Sequence, residues 1–531
     1  MNKILDRLVV IFFSTIILYE IIAVWIGQIW FNSFYILLIA FILAVTIIYL
    51  YPFKIHTPFW IYGIGLLFAA IFALPTLFLH AGVPASADPF HTIMIRVITH
   101  TLPRDFTPYS LLPYVYPFGF HLFAKSVIDI VRFIPDYQVL WLLGLFFIII
   151  SPALYYHFFR QLTKSQTAGI WAAVILFGNK ITVSNFYYGI YPEFLGFSLF
   201  LFSFCLFQSK HPLFWLSLSA IYIVHPISAV LAVTFYLLYF ILNKHYKNLI
   251  ILPFTVLLAI PTVWTYFLAG KTIIQPAPGI TSFSAKGIRI WELFNWIGPL
   301  PSFLFFTSLC FFIIKRKTLT GSDKRLYTLF ILLALLMLTF IFATPLYPWK
   351  MVHILAFTFL GLSVLGLTAL THDFSIIKKE KVIISGVFIA IILFTMFTST
   401  TLRSLYLGNK ISKDEIKTAK KLAYLLPKKN TVLFLGTDYS TSHAVMAMMT
   451  DTVPFGLGGY FLPEDPPLIS HPAYIQRKKE EAILSAILKE KCISCIESTG
   501  VEFIVANQKH FPYPLPYKVI KSIDNFTVYK R

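Results

Sequence analysis

Along most of the chain, apolar residues run almost unbroken for about twenty positions at a time, the length an α-helix needs to cross a hydrocarbon core of roughly 30 Å. Such runs fall near 7 to 29, 34 to 53, 59 to 79, 138 to 157, 167 to 186, 192 to 208, 227 to 243, 248 to 268, 299 to 315, 326 to 344, 351 to 370 and 382 to 400. A shorter run at 212 to 224 brings the expected count to about thirteen crossings.

Two stretches interrupt this pattern. The first, His80 to His121, is polar and aromatic and heads a loop that extends to residue 137. Its density of Tyr, Phe, Pro, His and paired charges argues against disorder. Within it, Phe90 to Thr101 and Phe118 to Phe133 carry apolar residues at helical spacing with a polar face that includes Lys125, Asp129 and Arg132. Two interfacial helices lying on the membrane are expected there. The second interruption begins near Leu402. Thr431 to Leu435 and Val501 to Ala506 read as strands, Ser442 to Met449 and Arg477 to Leu488 as helices, and Tyr517 to Ser522 with Phe526 to Tyr529 as a hairpin. The expected fold is therefore mainly α: a polytopic bundle over 1–400 followed by an extracytoplasmic α/β domain over 401–531. No GxGxxG follows Gly436, so the sequence offers no dinucleotide loop.

Composition settles the class. With 58% hydrophobic and 12% charged residues, the chain is too apolar for a soluble protein. The net charge of +20 sits largely in short loops: Lys3/Arg7, Lys54, Arg160/Lys164, Lys210, Lys244/Lys247, Lys315/Arg316/Lys317 and Lys378/Lys379/Lys381. These share one face if the N-terminus is cytoplasmic, so the basicity reports topology and not nucleic-acid binding. The loops at 80–136, 184–193, 225–226, 271–298 and 345–350 then converge on the extracytoplasmic face, together with the C-terminal domain. Of the four cysteines, only Cys492 and Cys495 fall where water could reach them, as a local disulfide or nothing.

The candidate chemistry lies in those outer loops. Asp88, in Ala87-Asp88-Pro89-Phe90-His91, reads equally as a helix N-cap and as a reactive acid, because the same geometry suits both. Glu193, just after Pro192, is a second outer acid; it suits the positive end of a helix dipole, a shared divalent cation or general-base work. Lys350, in Tyr347-Pro348-Trp349-Lys350 with His353 one turn on, runs against the positive-inside bias and invites an anionic ligand, or it snorkels beside Trp349. His225-Pro226 is a corner between two short apolar runs. Glu20, inside the first crossing, is either functional or paired with a buried partner.

An acid following a crossing and heading a long outer loop with two helices, the element Tyr116-Pro117-Phe118-Gly119-Phe120-His121, a second outer acid, and a C-terminal outer α/β domain together resemble the GT-C superfamily of polytopic glycosyltransferases. That superfamily includes the protein mannosyltransferases, aminoarabinose transferases and oligosaccharyltransferase catalytic subunits. Two crossings before residue 59, and the lack of an acid adjacent to Asp88, depart from its simplest pattern. The resemblance implies inverting transfer of a sugar from a polyprenyl-phosphate donor to a glycan, lipid or protein acceptor at the outer face. It implies Asp88 and Glu193 as catalytic residues, acting as base or as ligands of Mg2+ or Mn2+. Lys350, Arg104 and His225 would contact phosphate. Tyr116, Tyr188, Tyr191 and Trp349 would stack on sugar and prenyl chain, with His91, His121 and His353 completing the substrate-binding set. The rival classes are a transporter or lipid-linked-sugar flippase, whose charges would lie at mid-bilayer within internal repeats, and a non-catalytic relative whose outer domain binds a partner.

Overall fold

The computed structural model describes residues 2–79, 89–103, 105–106, 110–113, 118–179, 182, 191–262, 290–343, 348–373, 386, 413–436, 442–455 and 472–531. The chain is mainly helical, with a small C-terminal sheet. Helices α1 (Asn2–Ile26), α2 (Ser33–Leu50) and α3 (Phe59–Leu79) come first, followed by α4 (Pro89–Arg96), a short hairpin of β1 (Asp105–Phe106) and β2 (Ser110–Pro113), and α5 (Gly119–Ile130). Next come α6 (Asp136–Thr163), α7 (Gln166–Ile175), α8 (Tyr191–Gln208), α9 (Leu213–Val224), α10 (Pro226–Leu242) and α11 (Tyr246–Ile251). Then α12 (Ile290–Ile297), α13 (Pro299–Lys315), α14 (Gly321–Ala343) and α15 (Pro348–Asp373) follow.

Six helices are long and apolar enough to cross a membrane among the described residues: Lys3–Ile26, Ser33–Leu50, Asp136–Thr163, Tyr191–Gln208, Gly321–Phe342 and Met351–Thr371. Several other expected crossings are shorter helices, and physical causes are visible for two of them. Pro226 has no N–H and forces His225 into extended backbone (φ −157°, ψ 126°), which splits one apolar stretch into α9 and α10. After α11, Leu252–Ala259 winds as a 3-10 helix with Pro253 in its first turn. The expected crossing at 382–400 lies outside the described residues, apart from Gly386.

The helices expected in the first long loop are present but do not lie exposed. In α4, His91 to Ile95 are buried. In α5, Gly119 to Ala124 and Ser126 are buried, because the helix is inserted against α1 and held there: Tyr19 Oη donates to Leu122 O at 2.8 Å and meets Ser126 Oγ at 2.6 Å. Its polar side is satisfied locally. Lys125 pairs with Asp129, which also accepts from Ser33 Oγ at 2.6 Å, so the amphipathic pattern is used to face protein. Ile130 and Phe133, at the far end, remain exposed.

The C-terminal unit holds α16 (Lys413–Leu422), β3 (Thr431–Leu435), α17 (Ser442–Thr450), β4 (Val453–Pro454), α18 (Pro472–Lys489), β5 (Phe503–Asn507), β6 (Lys518–Ile523) and β7 (Phe526–Lys530). Its sheet runs β4-β3-β5-β7-β6, with β3 parallel to β4 and β5, and β7 antiparallel to β5 and β6. Alternation sorts the two faces. Val432, Phe434, Val505 and Val528 pack on α16 and α17, while Leu433, Leu435, Ile504 and Ala506 pack on α18. Cys492 and Cys495 are joined in a disulfide with Cα atoms 5.3 Å apart.

Among the described residues this unit meets the preceding part of the chain where α17 packs on α4, and α18 also meets β2. Tyr137, from the first turn of α6, lies in the same apolar cluster as Ile416, Val432 and Met446. Beside it, Arg96 at the end of α4 donates to both carboxylate oxygens of Asp136 (2.6 and 3.0 Å), to Asp451 Oδ1 (3.1 Å) and to Met448 O (2.8 Å).

Candidate functional site

Helix α8 opens with Tyr191-Pro192-Glu193. Proline fits a first turn where its missing N–H costs nothing, and an acid there meets the positive end of the helix dipole. Helix α15 opens with Pro348, and His353 follows in its second turn. The bundle brings these two helix starts together. His353 Nδ1 lies 2.5 Å from Glu193 Oε1, with side chains 8% and 2% exposed, so the imidazole N–H donates to a carboxylate almost wholly shielded from water. Both line a cavity of about 50 Å³ that also takes Ser151 and Tyr155 from the middle of α6, Asn179 just past the 3-10 turn that follows α7, and Thr182. That space admits a few water-sized groups.

A second pair lies next to it in the fold. His91 Nδ1 and His121 Nε2 are 2.8 Å apart and both rings are buried, so one nitrogen donates and the other accepts. Phe120 connects the pairs, with its ring 6.2 Å from that of His91 and 6.5 Å from that of Tyr191. His225 is buried, with Nδ1 3.3 Å from Ser228 Oγ. Its segment crosses α8 one turn beyond Glu193, where only glycine fits. A Cβ on Gly196 would fall 2.4 Å from Ser228 Oγ and 3.0 Å from His225 Cβ. Gly196→Ala is therefore expected to cost about 1–3 kcal/mol by overpacking, seen as a lower thermal midpoint in detergent. Adding Ser228→Gly should restore part of that loss, and a midpoint unchanged by Gly196→Ala would contradict the packing.

Beneath these residues, Glu20 is fully buried and neither carboxyl oxygen has a hydrogen-bond partner. Its Oε2 abuts the start of α5, where a Cβ on Gly119 would approach it to 2.6 Å and the carbonyl of Ile223 to 2.9 Å. The sequence raised a paired or a functional Glu20; no pairing is found among the described residues.

Of the residues singled out from sequence, the structure thus gathers Glu193, His353, His91, His121, Tyr191 and His225 at the starts of α4, α5, α8, α10 and α15. Asp88, Arg104, Tyr116 and Tyr188 lie outside the described residues, and for Trp349 and Lys350 only their place in the first turn of α15 is described. His225 is a buried corner. Sequence reasoning missed Ser151, Tyr155, Asn179 and Thr182. A polar Ser151 beside Pro152 within an apolar crossing was the available signal. Among the described residues no group of three or more His, Cys, Asp or Glu assembles as a metal site. Glu193, with one oxygen engaged by His353, does not alone supply the oxygen-rich shell that Mg2+ requires.

No protein-family model matches this chain, and no curated protein sequence matches it.

Proposed function

We propose that this protein is a GT-C-type membrane glycosyltransferase, moving a sugar with inversion from a polyprenyl-phosphate donor to an acceptor at the extracytoplasmic face. The observation that carries this reading is the buried Glu193–His353 pair opening on a cavity at the head of two bundle helices that also takes Ser151, Tyr155, Asn179 and Thr182. In the reaction, the acceptor hydroxyl oxygen bonds to the anomeric carbon as the bond from that carbon to phosphate oxygen breaks. The polyprenyl phosphate leaves with the electron pair, and the hydroxyl proton passes to a carboxylate, Asp88 or Glu193. Lys350, three residues before His353 on the same helix, would offset charge on the departing phosphate, with Arg104 or His225 as further phosphate contacts. His91, His121 and the tyrosines would hold the sugar.

The reading places the N-terminus in the cytoplasm, threads about thirteen crossings and leaves the C-terminal unit outside. The Cys492–Cys495 disulfide supports that side, because such bonds persist in oxidising compartments. The test is sugar transfer from a polyprenyl-phosphate donor by purified protein, where Asp88→Asn should abolish turnover; unchanged turnover would remove Asp88 from the mechanism. A second reading, a lipid-linked-sugar flippase, is favoured by one observation, the unpartnered acid Glu20 buried in a crossing. Translocation of a labelled lipid-linked sugar, lost in Glu20→Gln while Asp88→Asn leaves it intact, would select it.

A further inference from the structure

Between the segment that joins α2 to α3 and the last turn of α6 lies another cavity, of about 290 Å³, lined chiefly by Lys54, His56, His157, Arg160, Gln161 and Lys164. Each cation alone has an ordinary explanation. Arg160 and Lys164 complement the negative end of the α6 dipole, and Lys54 follows the basic bias of loops on one face. Their convergence on one cavity is not covered by either. Among the described residues no carboxylate pairs with Lys54, Arg160 or Lys164.

The acid bonded into this wall is turned elsewhere. Asp6 is buried and accepts from Thr57 N at 3.2 Å and Tyr62 Oη at 2.9 Å, while Thr57 Oγ1 meets His157 Nε2 at 2.7 Å. This network stiffens the back of the cavity and leaves its cations uncompensated. Arg160 is held in place as well: its Nη1 donates to His56 O at 3.4 Å, and the guanidinium lies 5.8 Å from the Tyr156 ring centre. Gln161 contributes a buried Oε1 with no hydrogen-bond partner.

We propose that this cavity binds a phosphate-ester anion. The planar fork of Arg160 matches two phosphate oxygens, and Lys54 and Lys164 supply point charges from either side. The volume lies at the lower limit of ligand pockets, which run from about 300 Å³ upward. It holds a phosphate and its adjoining ester, so the tail of a lipid would run outside it. The anion's source is either a lipid headgroup or a soluble phosphate ester, and the site is independent of the glycosyltransferase reading.

The experiment uses full-length protein purified in phosphatidylcholine nanodiscs, with and without phosphatidylglycerol. Lipid retention is read by native mass spectrometry. Binding of inorganic phosphate and glycerol 3-phosphate is read by thermal shift. Arg160→Gln with Lys164→Gln should weaken binding roughly tenfold, whereas Lys315→Gln with Lys317→Gln, exposed cations at the end of α13, should not. Retained phosphatidylglycerol lost only in the first variant identifies a lipid source. A phosphate or glycerol 3-phosphate shift lost only there identifies a soluble one. The proposal is overturned if neither probe separates wild type from the Arg160/Lys164 variant, or if the control variant loses as much. Should the double substitution unfold the protein, the exposed single change Lys54→Gln decides by the same readings.

Discussion

On the proposed function, Glu193→Gln is expected to lower polyprenyl-phosphate-dependent sugar transfer by about 10²- to 10⁴-fold, the usual range for loss of a general acid or base. The substitution keeps shape and keeps an oxygen that can accept from His353 Nδ1, so the pair's geometry survives while its charge and proton affinity do not. Alanine would be a poorer choice, because it removes the acceptor facing a buried imidazole and adds a stability cost of about 1–3 kcal/mol. His353→Gln separates the roles further: if His353 only orients Glu193, its loss should reduce kcat with little change in KM. Transfer by Glu193→Gln within twofold of wild type, with the thermal midpoint preserved, would show that the buried carboxylate is structural.

The second large effect is on the joint between the bundle and the C-terminal unit. Arg96→Met strips Asp136 and Asp451, whose side chains are 18% and 22% exposed, of the guanidinium that bridges them. Removing one partner of a fully buried ion pair costs about 3–5 kcal/mol; with this partial exposure, roughly 2–4 kcal/mol is expected. Arg96→Lys should recover little, since one ammonium cannot reproduce a fork on Asp136 together with bonds to Asp451 and Met448 O. The measurement is limited proteolysis between α15 and β3 alongside the thermal midpoint. A cleavage pattern and a midpoint matching wild type would mean the clamp adds nothing. Because α4 also carries His91, loosening it should disturb the His91–His121 contact as well.

What could be read in advance follows from the range of each signal. The strands around Leu433 and Ile504 were legible as short continuous apolar runs, and the closing hairpin as two short runs joined by Asp524-Asn525, because both signals are local. Helix α5 was legible as a helix and misread in its surroundings: a polar face made by Lys125 and Asp129 looks the same whether it meets water or a neighbouring Ser33. Glu193 and His353 each stood out beside prolines at helix starts, yet nothing in a single sequence joins positions 160 residues apart, and their pairing is a product of packing. The basic cavity was hidden for a related reason. Lys54, Arg160 and Lys164 were all read as markers of sidedness, and sidedness does not say which of them share a wall.

Helix α6 runs 28 residues, roughly 42 Å at 1.5 Å per residue, and meets three things on its way: the Arg96 clamp at Asp136, the Glu193–His353 cavity at Ser151 and Tyr155, and the basic cavity at Arg160. Pro152 lies next to Ser151, and with no N–H to give it leaves the carbonyl of Ile148 unclaimed by the helix ladder. A rod weakened at one point bends there. Tilting of the C-terminal unit would therefore be taken up beside Glu193 and His353, leaving the half of α6 that ends in Arg160 and Lys164 at rest. The interruption of the helix ladder at Pro152 thus coincides with the cavity that Glu193 and His353 line.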